Sequence, residues 1–204
     1  MNPKPFTLRG NHVRLEPLSA AHIAPLVEAS RDDSELYAWS FVPQGEHAVR
    51  QYVEHALSLA QSGHAVPFAI IRQSDDAVIG STRFFDLARW AWPAAERERP
   101  VYDTAEIGYT WLTPSAIRTR ANTEVKALML AHAFETWQVH SLSLHTDARN
   151  ARSRAAIERI GAQFEGILRA HRLAIDLAPR DSARYSIVAA EWPRVKAHIA
   201  NLLA

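Results

Sequence analysis

The stretch Ser143–Ala162, SLHTDARNARSRAAIERIGA, changes its period at Asn150. Up to that residue apolar and polar side chains alternate, as in a half-buried strand. Beyond it the spacing turns helical and stops at Gly161. A strand that runs straight into a helix leaves the first backbone N–H groups of that helix without internal partners, which suits the junction to an anion or a polarised carbonyl. Asn150 stands where a helix cap belongs, and Ser153 falls in the first turn. The rest of the chain must supply a sheet for this strand and walls for this junction.

The flanking segments predict such a sheet. HVRLEPLS reads as a strand ended at Pro17, and AAHIAPLVEAS as a helix capped by Ser19, with Ile23, Leu26 and Val27 on one face and Pro25 near its start. A second helix begins near Glu46 and carries Val49, Tyr52, Val53, Ala56, Leu57 and Ala60. AVPFAIIRQ and AVIGSTRFFDL, separated by SDD, predict an antiparallel hairpin. Ala88–Asp103 has no clean period and reads as a loop or insertion at a binding mouth. TAEIGYTWLTP is a strand, TEVKALMLAHAFETW a helix apolar nearly all round, AQFEGILRAHRL and ARYSIVAA two more strands, and EWPRVKAHIANLLA a closing helix. The predicted order is β-α-α-β-β-β-α-β-α-β-β-α, an α/β (α+β) arrangement expected to form a single domain over residues 1–204.

Composition narrows the function classes. A chain with 48% hydrophobic and 22% charged residues and a net charge of +1 lacks the basic excess expected for nucleic-acid binding. The absence of cysteine removes disulfides, cysteine nucleophiles and thiolate metal sites. The ten histidines show no metal-binding spacing, so no metal is expected. No apolar run approaches the ~20 residues that span a bilayer, and MNPKPFTLRG lacks the apolar core of a signal peptide, so the expected location is cytoplasmic.

The element order, with EIGYTWL, TEVKALMLAHAFE, TDARNARSRAAIERIGAQFEGILRAHR and YSIVAAEWPRVK, resembles the GCN5-related N-acetyltransferase (GNAT) superfamily, in its ribosomal-protein N-terminal acetyltransferase (RimJ/RimL)-like branch. The resemblance implies a mixed, twisted sheet of about seven strands flanked by helices and splayed between its fourth strand, EIGYTWL, and its fifth, HSLSLHTD, with acetyl-coenzyme A in the opening. It implies a bulge around Trp111 and Leu112 that aims a backbone N–H at the thioester carbonyl. The pyrophosphate loop of the family aligns on Ile117–Asn122, which implies cofactor contacts from Arg118, Arg120, Ala121, Asn122 and Thr123. Arg120 stands there where the family has glycine, which puts the usual cradle in question. Asn150 is expected on the pantetheine arm and Ser153 at the sulfur, protonating the departing thiolate. Glu106 is expected to take the acceptor's proton through water, with Tyr185, Tyr109 and His145 as further candidates. Each has a structural alternative: Asn150 as a plain cap, Glu106 as an ion-pair partner, Arg118 and Arg120 as solvated charges, Tyr185 as core.

The activity so implied is transfer of an acetyl group from acetyl-coenzyme A to a primary amine by direct attack in a ternary complex. The acceptor is a protein or peptide N-terminus or a small-molecule amine, and a homodimer is compatible with the resemblance. The degenerate pyrophosphate loop motivates an alternative, a non-catalytic coenzyme A-binding or interaction module. A longer acyl donor is a third reading. The acceptor pocket is expected between the early helices, the 88–103 insertion and the late strands, with Tyr37, Trp39, Phe41, Trp90 and Trp92 as an aromatic wall.

Overall fold

The computed structural model describes residues 5–31, 35–93 and 101–204. Its strands are β1 (Leu8–Arg9), β2 (Val13–Pro17), β3 (Ala65–Arg72), β4 (Val78–Ala88), β5 (Thr104–Leu112), β6 (Ser141–Asp147), β7 (Gln163–Leu173) and β8 (Pro179–Val188). Its helices are α1 (Ile23–Ala29), α2 (Gly45–Gln61), α3 (Ala121–Ala131), α4 (Ala151–Arg159) and α5 (Trp192–Leu203). The strands form one sheet in the order β1-β2-β3-β4-β5-β6-β8-β7. The eighth strand is the two-residue β1, paired with Arg14 and Leu15 of β2 and too short to carry a period. The fourth and fifth strands of the sequence reading are therefore β5 and β6.

Helices cover both faces of the sheet, which is why β3 reads as a continuous apolar run rather than an alternating one. Ala69 and Ile71 face a core shared with Leu26 of α1 and Val49, Val53 and Ala56 of α2. The intervening Phe68 and Ile70 face a larger core with Val125 and Met129 of α3 and Val195 and Ile199 of α5, as the two-residue period of a strand requires. Helix α4 is closed just past its end by Gly161, whose φ of +93° lies where glycine alone is unstrained.

The opening between β5 and β6 follows from their pairing. They run parallel and are joined only from Thr104–Ser141 to Glu106–Ser143. Past Glu106, β5 stays bonded to β4 as far as Leu112–Gly80, and β6 to β8 as far as Asp147–Ser182. The inner edges of the two strands therefore face each other across a gap.

The bulge of β5 lies earlier than expected. Arg83 pairs with Gly108 and Ser81 with Trp111, so Tyr109 and Thr110 stand opposite the single residue Thr82, and Tyr109 takes a left-handed φ of +51°. Trp111 and Leu112 are back in register, because their side chains are buried in the cores on opposite faces of the sheet. Gly80 makes that register possible, since a Cβ there would lie 2.0 Å from the Trp111 carbonyl oxygen.

Candidate active site

A cavity of about 950 Å³ fills the splay. Its walls are β5 from Glu106 to Leu112, Leu144–Thr146 of β6, the first turns of α4 and the loop before α3. The stretch Tyr37–Phe41 closes it from above, held by the Tyr37 hydroxyl donating to the Leu112 carbonyl at 2.9 Å and by Trp39 under the Arg149 guanidinium at 4.3 Å. The peptide groups on the inner edge of β5 have lost their sheet neighbour past Glu106, so a ligand with amide groups can take its place.

At the mouth of β6, Asn150 caps α4, with its Oδ1 accepting the Ser153 N–H at 3.0 Å. The structural alternative is thus realised, and it leaves the amide NH₂ of this buried residue for a ligand. The Ser153 hydroxyl, which has no protein partner among the described residues, stands at the cavity wall.

The loop of residues 117–122 departs from what the alignment implied. The left-handed residue is Arg118, at φ +60°, whereas Arg120 is helical at φ −69° and needs no glycine. The Arg120 guanidinium turns away and donates to the Ala204 carbonyl at 3.0 Å, so it neither obstructs the cavity nor reaches into it. Arg118 and Asn122 line the cavity. Ala121 and Thr123 do not: Ala121 is buried, its N–H donating to Thr119 Oγ1 at 3.1 Å, and Thr123 Oγ1 accepts from Arg159 at 2.6 Å.

On the far side of the cavity Glu106 is 2% exposed. Arg172 donates to both of its oxygens, at 3.3 and 3.0 Å, and His145 Nδ1 lies 2.9 Å from Oε1, an ion-pair distance at which the ring N–H is not in line for a good hydrogen bond. Burial alone would push the Glu106 pKa up, but His145 and Arg172 together hold it below the usual carboxylate range. Both partners also line the cavity.

Residues 12–163 match the family model described as an acetyltransferase (GNAT) domain. The chain belongs to the GNAT acetyltransferases. Its fold is similar over its whole length to a GCN5-related N-acetyltransferase from Brucella melitensis, with 27% identity, a TM-score of 0.85 and 88% of that chain covered. A probable GNAT-family acetyltransferase from Chromobacterium violaceum is 30% identical at a TM-score of 0.75, over 92% of this chain and 88% of the other. Mycobacterium smegmatis RimJ in complex with CoA-disulfide shares the fold at 23% identity and a TM-score of 0.79, over 97% and 95% of the two chains. No curated protein matches the sequence.

Acetyl-coenzyme A is the acyl donor of this acetyltransferase's family, and the cavity fits it: an open strand edge for the pantetheine amides, the capped start of α4, and Arg118 with the first turn of α3 for phosphates. Among the described residues no group of three or more side chains is arranged to hold a metal ion, and no helix is long and apolar enough to cross a membrane.

Two expectations about side chains are corrected. Tyr185 is fully buried and outside the cavity: its hydroxyl accepts from Arg154 at 3.0 Å and donates to Glu158 at 2.9 Å on the outer side of α4. Trp90 and Trp92 belong to the opposite end of the β5–β6 pair. Trp90 stacks on His140 at 5.1 Å and the Trp92 indole donates to Asp103 at 2.7 Å. Residues 94–100 of the expected insertion lie outside the described residues. Tyr37, Trp39 and Phe41 do line the cavity, as does Tyr109.

Lys126, Arg172 and Arg180 also line the acetyltransferase's cavity, and the sequence reading passed over them. Lys126 donates to Thr110 Oγ1 at 2.7 Å, and burial lowers its pKa to about 7. A lysine inside a helix apolar on nearly every side was the signal that could have marked it.

Proposed function

We propose that this acetyltransferase moves an acetyl group from acetyl-coenzyme A to a primary amine by direct attack while both are bound. The observation that carries the reading is the unpaired inner edge of β5 facing the capped start of α4, with a free Ser153 hydroxyl between them. The coenzyme A-disulfide in the RimJ neighbour, which has the same fold, supports seating coenzyme A in the splay.

The residues supply each proton step. An ammonium acceptor must first lose a proton, and Glu106, held low in pKa by His145 and Arg172, is by itself a weak base. His145 lines the cavity beside this carboxylate, so the reading makes its ring nitrogen the base, directly or through water, and Glu106 the anion that steadies it. The neutral amine attacks the thioester carbon, the N–C bond forms and the C–S bond breaks. Backbone N–H groups of the bulged segment at Tyr109–Thr110 stabilise the developing oxyanion. The thiolate leaves with the proton of the Ser153 hydroxyl, and the nitrogen, cationic after its attack, gives up its extra proton to restore that hydroxyl, directly or through water, so that the products are the neutral amide and the free thiol. On this reading the acceptor is a protein or peptide N-terminus, as in the RimJ/RimL-like branch, or a small-molecule amine, entering past Phe85, Tyr109 and Arg172.

Thiol release from acetyl-coenzyme A, followed against a panel of amines and peptide N-termini, tests the reading, with thermal unfolding in coenzyme A alongside. The expected result is amine-dependent release and a Tm that rises with coenzyme A concentration, because a ligand bound only by the native state stabilises it by mass action. A Tm unmoved by millimolar coenzyme A would sink it.

A further inference from the structure

Arg83, in the middle of β4, is 1% exposed, and its Nε and both Nη atoms are buried without a hydrogen-bond partner among the described residues. The guanidinium lies between two rings, 4.9 Å from that of Tyr52 and 4.1 Å from that of Tyr109. Cation–π contact offsets part of the loss of water, but it satisfies none of five N–H donors. An unpaired buried charge is among the most destabilising things a core can hold, so a fold that keeps one invites a search for its missing counter-charge.

The surroundings define that counter-charge. Ser81, two residues before Arg83 and on the same face of β4, pairs with Trp111; its Oγ accepts from the Tyr52 hydroxyl at 3.1 Å and donates to the Phe68 carbonyl at 2.9 Å, so both hydroxyls are satisfied. The Trp111 Nε1 on this face is also buried without a partner. The guanidinium and the Trp111 indole N–H are thus buried donors, one of them charged, with no acceptor among the described residues, and they match a carboxylate, which offers two oxygens to the guanidinium fork. The Tyr109 ring that covers Arg83 belongs to the cavity wall, is 45% exposed, and is carried by the bulge at φ +51°. On the cavity side stands Arg180, whose side chain donates to Ser182 Oγ at 3.2 Å and has no carboxylate within ion-pair distance among the described residues.

We propose that the acceptor of this acetyltransferase carries a carboxylate as well as its amine, and that Arg83 receives this carboxylate when the Tyr109 ring swings aside. Arg180 draws the anion toward the cavity from outside. The proposal rests on the acetyl-transfer reading for the acceptor's amine, while carboxylate recognition can be measured without turnover. The carboxylate has two sources, the α-carboxylate of a free amino acid or an acidic side chain near a peptide N-terminus.

Calorimetric titration of the full chain saturated with coenzyme A separates them. One arm compares N-acetyl amino acids with their C-terminal amides, and the other compares N-acetyl tripeptides carrying Asp or Asn at the second position. The expected result is a carboxylate preference of roughly 10- to 100-fold in one arm, the range of a hydrogen-bonded charge. That preference disappears in Arg83→Met and shrinks in Arg83→Lys, which keeps the charge and loses the fork. Arg83→Met is also expected to raise Tm, since an apolar side chain replaces an unpaired buried charge. Should Arg83→Met not fold, Arg83→Lys and the wild-type comparison decide. Equal binding of acid and amide by the wild type in both arms overturns the proposal, as does a preference that survives loss of Arg83. A chain that prefers the carboxylate but releases no thiol with any amine would instead overturn the transfer reading and leave Arg83 as an anion receptor.

Discussion

At Ser153 a helix-start residue and a catalytic residue make opposite demands on the same mutation. Asn150 already supplies the cap through Oδ1, so the Ser153 hydroxyl is not needed to hold α4. Ser153→Ala is therefore expected to leave Tm and coenzyme A affinity close to the parental values while lowering turnover ~10²–10⁴-fold, because the hydroxyl acts only as thiolate charge develops. Asn150→Ala is expected to lose ~0.5–2 kcal/mol of stability as a lost cap. Thermal unfolding, coenzyme A titration and thiol release on the two variants separate the roles; a Ser153→Ala enzyme turning over at the parental rate ends the acid assignment.

Among elements, α3 shows how a helix that is apolar on most sides is tied to the edge of its sheet by a buried carboxylate. The Glu124 carboxylate accepts the backbone N–H groups of Asn11, His12 and Val13, each at 2.7 Å, and so fastens the β1–β2 turn to the helix that begins beside the cavity. Glu124→Ala leaves three donors without their anion and is expected to destabilise by roughly 3 kcal/mol or more. Gly10→Ala, whose Cβ would lie 2.4 Å from the same carboxyl group, is expected to lose ~1–3 kcal/mol through overpacking. Denaturant midpoints check both, and parental midpoints would show that the turn is not held this way. The helical period of this segment was plain in the sequence, but a periodicity says nothing about which polar residue on it will be drawn inward, because Glu124 answers to residues more than 110 positions away.

The molecule as a whole keeps two bases on the α3 line whose charged forms are disfavoured by burial. Burial lowers Lys126 from 10.5 to about 7, and His132 from 6.5 to about 4. Over each interval the unfolded chain holds a proton that the folded chain does not, so stability rises with pH from 4 to 6.5 through His132 and from 7 to 10.5 through Lys126. Below each interval the cost of burying the charge is present in full. For the protein without ligand, Lys126→Met is expected to raise Tm more at pH 7 than at pH 10 and to flatten the alkaline rise, while His132→Phe reduces the loss of Tm on acidification from pH 6.5 to 4. A Lys126→Met profile parallel to the parental one would refute the alkaline part.

The sequence by itself determined the order and kind of nearly all the elements and the Asn150–Ser153 junction, because each is written in local period, caps and turn residues, while the place of the splay between EIGYTWL and HSLSLHTD was implied by the resemblance to the family. Only the tertiary structure decided where the β5 bulge falls, since that depends on Trp111 and Leu112 being buried in opposite cores. It also decided that Arg120 turns to the chain end at Ala204, that the Tyr185 hydroxyl is taken by Arg154 and Glu158, and that Trp90 and Trp92 pack at the closed end of the strands. The Glu106–His145–Arg172 group and the unpaired Arg83 belong to the same class. A side chain's neighbours across a sheet come from segments far apart in the chain, and the free energy of placing a charge depends on those neighbours and on the water they exclude, neither of which local sequence contains.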